Sequence, residues 1–213
     1  LEGTVTGDRV AATVTGTLKG SNLSYNEHNA LDLTSTYTIT IPDLDAARAR
    51  VDATTEASFV KAAGLEINQV TATTTYEDQT IGFTAHVQEE ERSLDARGEV
   101  ILHTDHQELH LPELVVRTQG VEWRTRPGTE TTIRYGQNRV ELQDVQLVSA
   151  DQSLSVDGTI ALGGEVPAGT LDVTAQNVDL QQLERLLLQE RGLSGRLSAN
   201  ATLTGTTAAP MVS

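Results

Sequence analysis

One stretch near the start of the chain alternates strictly enough to dictate its structure. Residues 29–41 read Asn-Ala-Leu-Asp-Leu-Thr-Ser-Thr-Tyr-Thr-Ile-Thr-Ile, with mostly apolar odd positions and polar even positions. Successive side chains of a β-strand point to opposite faces, so the pattern predicts a strand with one apolar face and one threonine-rich face. At thirteen residues, this strand is long compared with the usual ~5–6.

The composition agrees with a sheet protein and restricts its partners. Threonine, which is β-branched and favoured on half-exposed sheet surfaces, supplies 30 of the 213 residues. The net charge is −15, and Lys19 and Lys61 are the only lysines, so the chain repels phosphate backbones and anionic lipid headgroups. No nucleic-acid partner is expected. The absence of cysteine excludes a disulfide framework and thiolate chemistry.

Similar alternating segments fill most of the remaining sequence. Turn chemistry is predicted at Gly7-Asp8, at Gly20-Ser21-Asn22 and at Pro42-Asp43. Residues 56–63 are compatible either with a helical turn or with a strand. Fourteen to sixteen strands in consecutive hairpins predict an all-β fold built as a long antiparallel meander. Such a meander either packs as a sandwich or is curled into a taco-like groove with an apolar interior.

One segment has the periodicity of a short amphipathic helix. Asp179 is a suitable N-cap for residues 180–191, and Gly192 is a suitable stop. Leu180, Leu183 and Leu187 share one stripe. Such a helix either gates a cavity or, more commonly, covers the end of a sheet.

The apolar positions of the strands define the candidate functional surface. Its clearest members are Leu31, Leu33, Tyr37, Ile39, Ile41, Ile81, Phe83, Val87, Val100, Leu102, Leu109, Leu111, Val121, Trp123, Ile133, Tyr135, Val140, Leu142, Leu154, Val156, Ile160, Leu171 and Val173. In a sandwich these side chains would interdigitate into a dry core, where Trp123 would be a filler. In an open groove they would instead bind acyl chains, at about 0.8 kcal/mol per buried CH₂. The pattern alone leaves both alternatives open.

Motifs of catalysis are absent. The sequence has no Gly-x-Ser-x-Gly, no phosphate-binding loop and no His-Glu-x-x-His, so neither an enzyme nor a cofactor is expected. The exception to consider is 103–110, His-Thr-Asp-His-Gln-Glu-Leu-His, where His106, Glu108 and His110 share a strand face as metal ligands would. We interpret it as a polar hairpin tip without a metal, because Leu109 and Leu111 place that row on the wet side.

The order of several short motifs resembles a known family. Residues 193–197, Leu-Ser-Gly-Arg-Leu, precede 203–206, Leu-Thr-Gly-Thr, and 210–212, Pro-Met-Val. This series resembles the Gly-x-Leu, Leu-x-Gly-Thr and Pro-x-Val signature of TamB and AsmA-like proteins. The helix within 178–187 resembles the helix that precedes the signature in those families, and 121–158 looks like their internal repeats.

This resemblance implies a periplasmic β-groove protein that is tethered to the inner membrane by a helix outside this segment. It implies phospholipid as the ligand and, through other regions, an outer-membrane barrel of the TamA or BamA type as a partner. We therefore expect residues 1–213 to be a single β-groove segment of a larger protein, cut within a repeat at its C-terminal end. The expected function is a lipid conduit in outer-membrane biogenesis. The alternatives are a secreted or surface adhesin-type module with a dry core, and a metal-dependent enzyme at the histidine cluster.

Overall fold

The computed structural model describes residues 2–8, 10–26, 28–62, 65–162, 169–186, 192–206 and 209–212. Within these residues the chain forms fifteen β-strands, one α-helix and one short 3-10 helix, Ala46–Arg48. The prediction of an all-β antiparallel meander with a single short α-helix is confirmed. In the described part of the chain, no helix is long and apolar enough to cross a membrane.

The chain divides into two compact units, Leu1–Glu99 and Val100–Ser213, whose boundary lies inside a continuous strand. The strands of the first unit are β1 (Glu2–Gly7), β2 (Ala11–Tyr25), β3 (His28–Pro42), β4 (Arg50–Ala62), β5 (Leu65–Glu77), β6 (Thr80–Gln88) and most of β7 (Arg92–Leu102). The second unit contains β8 (Gln107–Thr118), β9 (Val121–Thr125), β10 (Thr131–Gly136), β11 (Arg139–Ser149), β12 (Gln152–Ala161), β13 (Gly169–Asp179), helix α1 (Leu180–Leu186), β14 (Arg196–Thr206) and β15 (Ala209–Val212).

The first unit is built from unusually long hairpins. Strands β1 to β6 each pair antiparallel with the next strand along the chain. The open assignment of residues 56–63 resolves as strand through Ala62, while Ala63 lies outside the described residues. The strand predicted at residues 29–41 is confirmed as β3.

The turn predicted at Gly20-Ser21-Asn22 is wrong, because β2 continues to Tyr25. The side chain of Leu23 occupies the space beside Gly20, where an added Cβ would lie 2.9 Å from its methyl carbons. Asn22 adopts a positive φ of 52° within the strand. Glycine and asparagine here accommodate a local irregularity in a strand instead of ending it.

The same irregularity crosses three strands at Leu31. Residue Asn22 on one side and Phe59 on the other occupy the ladder positions opposite Leu31, and both have positive φ, 52° and 49°. Leu31 is 44% exposed and Phe59 is 64% exposed. Beyond this line the half-buried positions shift by one residue, to Ala30 and Val60. The alternation that predicts β3 is thus interrupted near its N-terminal end.

The second unit departs from simple sequential pairing. Its strand order is β8-β10-β11-β12-β13-β14-β15, while β9 lies off this path and pairs with both β8 and β11. Trp123 on β9 has no exposed surface, and Ala161 and Val178 are equally buried. Polar side chains are also buried in this unit: Thr118, Thr125, Thr131, Ser149 and Gln152. This part of the chain therefore has a small closed core.

Helix α1 begins where the sequence predicts. The backbone N–H groups of Gln181 and Gln182 donate to Asp179 Oδ1 at 3.0 and 3.1 Å, which satisfies two donors of the first turn. The buried side chain of Gln152 accepts a hydrogen bond from the Asp179 N–H and donates one to Gln182 Oε1, both at 2.7 Å. The predicted continuation over 187–191 lies outside the described residues.

Candidate functional site

The pairing register of the first unit aligns apolar side chains into continuous rows across the strands. The longest row takes one residue from each of six consecutive strands: Val5, Val14, Ile39, Val51, Tyr76 and Ile81. A parallel row is formed by Gly20, Leu33, Ala57, Val70 and Val87. At a strand spacing of about 4.8 Å, a row of six residues extends over roughly 24 Å. We call this surface the apolar face of the first unit.

The apolar face is not closed by packing. Among the described residues of the first unit, Ala57 and Ser35 alone are buried, and the other side chains of the two rows are half-buried or exposed. The accessible surface of the chain is 13303 Å². Two compact globules that shared its mass of 22.9 kDa would together expose only about 11,600 Å². The chain therefore exposes more surface than two compact globules of this mass would.

The second unit carries comparable rows. One comprises Leu109, Ile133, Leu142, Gly158, Leu171 and Leu203. A second comprises Val145, Val156, Val173 and Ala201, and a third comprises Leu147, Leu154, Ala175 and Ala199. Most of these side chains are half-buried. The register therefore brings together side chains that the sequence places up to about ninety residues apart.

The residues predicted to line the site differ in exposure. Most are half-buried, namely Leu33, Tyr37, Ile39, Ile41, Ile81, Phe83, Val87, Val100, Leu102, Leu109, Leu111, Val121, Ile133, Val140, Leu142, Leu154, Val156, Ile160, Leu171 and Val173. Leu31 and Tyr135 are exposed, at 44% and 53%. Trp123 is completely buried. Alternation alone does not separate these three classes, because it contains no information on what covers a face.

The opposite face of the first unit is a threonine surface. Two neighbouring rows cross it: Glu2, Thr17, Thr36, Thr54, Thr73 and Thr84 in one, and Thr4, Thr15, Thr38, Asp52 and Thr75 in the other. An open depression of about 680 Å³ lies between them. The ring of Tyr37 belongs to the other side, where it covers Gly16, since a Cβ at Gly16 would lie 2.5 Å from the Tyr37 hydroxyl oxygen.

A second constellation lies in the second unit, around Glu108 on β8. The His106 Nε2 lies 3.0 Å from Glu108 Oε1, and the His110 Nε2 lies 3.3 Å from Oε2. His103 belongs to the turn that precedes β8, and its Nε2 lies 3.8 Å from the same Oε2. The rings of His103 and His106 are stacked, with centroids 4.3 Å apart. Three imidazoles thus converge on one carboxylate. Strand alternation alone predicts this proximity for His106 and His110 but not for His103.

Arg134 completes the surroundings of this carboxylate from β10. It is the register partner of Glu108, and its Nη2 lies 2.6 Å from Glu108 Oε1. The Arg134 guanidinium, together with His106, lowers the pKa of Glu108 to about 2. Sequence reasoning missed Arg134, because its position beside Glu108 depends on the register between two strands that are not adjacent in the chain.

Further carboxylates contact the Nδ1 atoms of His106 and His110, the ring nitrogens that do not face Glu108. His106 Nδ1 lies 2.8 Å from Asp105 Oδ1, and this contact, with the one to Glu108, raises the pKa of His106. His110 Nδ1 lies 2.8 Å from Glu130 Oε1. Burial lowers the pKa of His110, but the hydrogen bonds to Glu130 and Glu108 outweigh it, so the net shift is upward. The cluster therefore attracts positive charge.

No protein-family model, curated protein or solved structure gives a significant match to this chain. The register, exposure and charge of its own residues are therefore the basis for a functional assignment.

Proposed function

We propose that this chain is a segment of a periplasmic lipid conduit, in which the apolar face carries phospholipid acyl chains between the inner and outer membranes. The observation that carries the proposal is the set of continuous apolar rows that folding leaves half-exposed. The motif order that resembles TamB and AsmA-like proteins supports the same function from the sequence.

The apolar rows run across the strands, so a ligand can move along a row without leaving apolar surface. Each CH₂ group that binds there gains about 0.8 kcal/mol by leaving water. Neighbouring positions in a row are chemically alike, for example Val14, Ile39 and Val51, so the free energy of a bound chain changes little from one to the next. Transport along the face is then passive.

The charge distribution is compatible with a zwitterionic or weakly anionic headgroup that stays in water. The net charge of −15 disfavours close approach of headgroup phosphates to most of the surface. Binding then depends on the acyl chains. The proposed location is the periplasm, and the proposed partners, through regions outside this segment, are an inner-membrane tether and an outer-membrane barrel of the TamA or BamA type.

Site-specific photocrosslinking tests this function. A photoreactive amino acid replaces Leu33 or Ile39 on the apolar face, with Thr34 and Thr38 on the threonine face as matched controls one residue away. The protein is irradiated in the cells that make it, and adducts are identified by mass spectrometry. We expect phospholipid adducts at Leu33 and Ile39 and none at the two threonines.

Two other outcomes contradict the proposal in different ways. A folded protein without lipid adducts at either apolar position indicates a dry interior, which favours the adhesin-type binding module. Equal labelling of Leu33 and Thr34 indicates non-specific contact with membranes. The same positions crosslinked in purified protein mixed with phospholipid vesicles separate direct binding from delivery by another component.

A further inference from the structure

The histidine cluster of the second unit has a geometry that the lipid path does not require. We propose that His103, His106 and Glu108 bind a divalent transition-metal ion, with Zn²⁺ as the best-matched ion and His110 as a candidate fourth ligand. This site is independent of the proposed lipid function, because it lies on side chains that belong to none of the apolar rows.

The spacing of the donor atoms supports a metal site. One donor atom from each of His103, His106 and Glu108 lies within 4.8 Å of the other two. Ligands bound tetrahedrally to Zn²⁺ at about 2.0–2.1 Å lie about 3.3 Å from one another. His106 Nε2 lies 3.0 Å from Glu108 Oε1, whereas His110 Nε2 and His103 Nε2 lie 3.3 and 3.8 Å from Glu108 Oε2. A bound ion would draw the donors closer together, since separations of up to 4.8 Å exceed the tetrahedral spacing.

The surroundings of the imidazoles match those of metal-bound histidines. Histidine ligands commonly donate their second ring N–H to a carboxylate, which fixes the ring orientation and increases its basicity. Asp105 occupies this position behind His106, at 2.8 Å from Nδ1. Glu130 occupies it behind His110, also at 2.8 Å. In both rings the Nε2 atom is then directed at Glu108, where the ion would lie.

The chemistry of the donors selects the class of ion. Imidazole nitrogen with carboxylate oxygen suits Zn²⁺ and its borderline neighbours, whereas Mg²⁺ and Ca²⁺ prefer oxygen ligands alone. Arg134 and His106 both contact Glu108 Oε1, whereas Oε2 is directed towards His103 and His110. A cavity of about 460 Å³, lined in part by Asp105, His106 and Arg134, adjoins the cluster and gives an ion access.

The local charge also favours a divalent cation. Asp105, Glu108, Glu130 and Glu141 surround the cluster, and Arg134 forms ion pairs with two of them, Glu108 and Glu141. Arg139 is a second guanidinium in the lining of the adjoining cavity, so four carboxylates face two guanidinium groups and leave a negative excess. Electrostatic attraction of a divalent ion to this position follows directly from that excess.

Isothermal titration with Zn²⁺ tests the site. The chain is prepared without a polyhistidine tag, treated with a chelator, and compared with the variants His103→Gln, Glu108→Gln and His86→Gln. The matched control is His86, whose Nδ1 lies 2.6 Å from Asp95 without a converging set of histidines. We expect one Zn²⁺ per chain, binding weakened at least about tenfold in His103→Gln and Glu108→Gln, and unchanged binding in His86→Gln.

A second measurement identifies the ligands. Co²⁺ in place of Zn²⁺ should give the intense visible absorption of a tetrahedral site, and His103→Gln should diminish it. Circular dichroism tests whether each variant is folded. If Glu108→Gln does not fold, the binding measured for His103→Gln decides the test, because the His103 side chain is 41% exposed and its replacement should not disturb folding. The proposal is overturned if the folded chain binds no stoichiometric Zn²⁺, or if His86→Gln loses as much affinity as His103→Gln.

Discussion

Both units consist mainly of antiparallel strands, but they differ in how completely their side chains are buried. In the described residues of the first unit, the buried side chains are Ala57 and Ser35 alone, and the apolar rows remain half-exposed. In the second unit, Trp123, Ala161 and Val178 are buried. Register therefore creates apolar rows in both units, whereas a closed core forms only where something other than the next hairpin covers them.

Helix α1 contacts both β13 and β8, which are not neighbours in the sheet, and so it covers part of the second unit. Strand β9 lies within the sheet, where it pairs with both β8 and β11 and supplies the largest fully buried side chain, Trp123. Buried polar groups join this region with good geometry, as where Thr125 Oγ1 accepts from the Leu114 N–H at 2.9 Å. Under the proposed function, the second unit supplies a stabilising core and the first unit supplies the open surface to which lipid binds.

Truncation of Trp123 should have the largest effect on stability. Trp123→Ala removes a completely buried side chain and should lower the free energy of unfolding by about 3–5 kcal/mol, measured by urea denaturation. Trp123→Phe is the matched control, because the Nε1–H of Trp123 is buried without a hydrogen-bond partner and phenylalanine removes it. We expect this variant to lose less than about 2 kcal/mol. Equal losses would show that Trp123 does not act as a core filler.

The buried amide of Gln152 tests whether polar links also hold the closed region together. Gln152→Ala removes the acceptor of the Asp179 N–H and the donor to Gln182, and should cost about 1–3 kcal/mol in urea denaturation. The exposed neighbour Gln176 provides the control, and Gln176→Ala should change stability by about 0.5 kcal/mol or less. If both variants behave alike, the hydrogen bonds of Gln152 contribute nothing specific.

Strand β3 and the start of helix α1 could be predicted from the sequence, because the residue patterns that indicate them are local. The alternation of residues 29–41 places β3 correctly, and Asp179 marks the start of α1. The turn expected at Gly20-Ser21-Asn22 does not form, because β2 pairs with β3 on both sides of this segment and continues to Tyr25. Turn-forming residues specify permitted backbone angles, and long-range pairing decides whether a turn or an irregular strand uses them.

The sites depend more strongly on contacts between distant residues. Alternation predicts the apolar rows, but the complete burial of Trp123 depends on long-range packing that no local pattern contains. The sequence motif from His103 to His110 predicts only a polar hairpin tip. The convergence of the three histidines on Glu108 requires that His103, which lies in the turn, comes close to β8. The pairing of Glu108 with Arg134 requires a register between strands that no local pattern contains.

Truncation on the apolar face should cost much less than truncation in the closed core. Ile39 is half-buried in the longest row of the first unit, so Ile39→Ala should lower the free energy of unfolding by about 1 kcal/mol. The substitution creates no closed cavity, so the additional loss of stability that a cavity causes at buried sites does not apply. Thr38→Ala is the adjacent control. A loss of about 3 kcal/mol or more for Ile39→Ala would mean that this face lies in a packed core.

The smallest expected effect concerns the first hairpin of the open unit. Asp8 Oδ1 accepts hydrogen bonds from the N–H groups of Val10, at 2.7 Å, and Ala11, at 3.0 Å, and these bonds lower the pKa of the Asp8 carboxyl. A carboxyl whose pKa is lowered by folding stabilises the hairpin fully above its ordinary pKa of 3.8, and this stabilisation is lost as the pH falls through the folded value. An NMR titration that detects the carboxyl group should give Asp8 a pKa below 3.8. In Asp8→Asn, the contribution of the Asp8 carboxyl to the acid dependence of amide exchange at Val10 and Ala11 should disappear. A carboxyl that titrates at or above its ordinary value would show that the turn is open in solution, and that the hairpin of β1 and β2 gains its order from strand pairing alone.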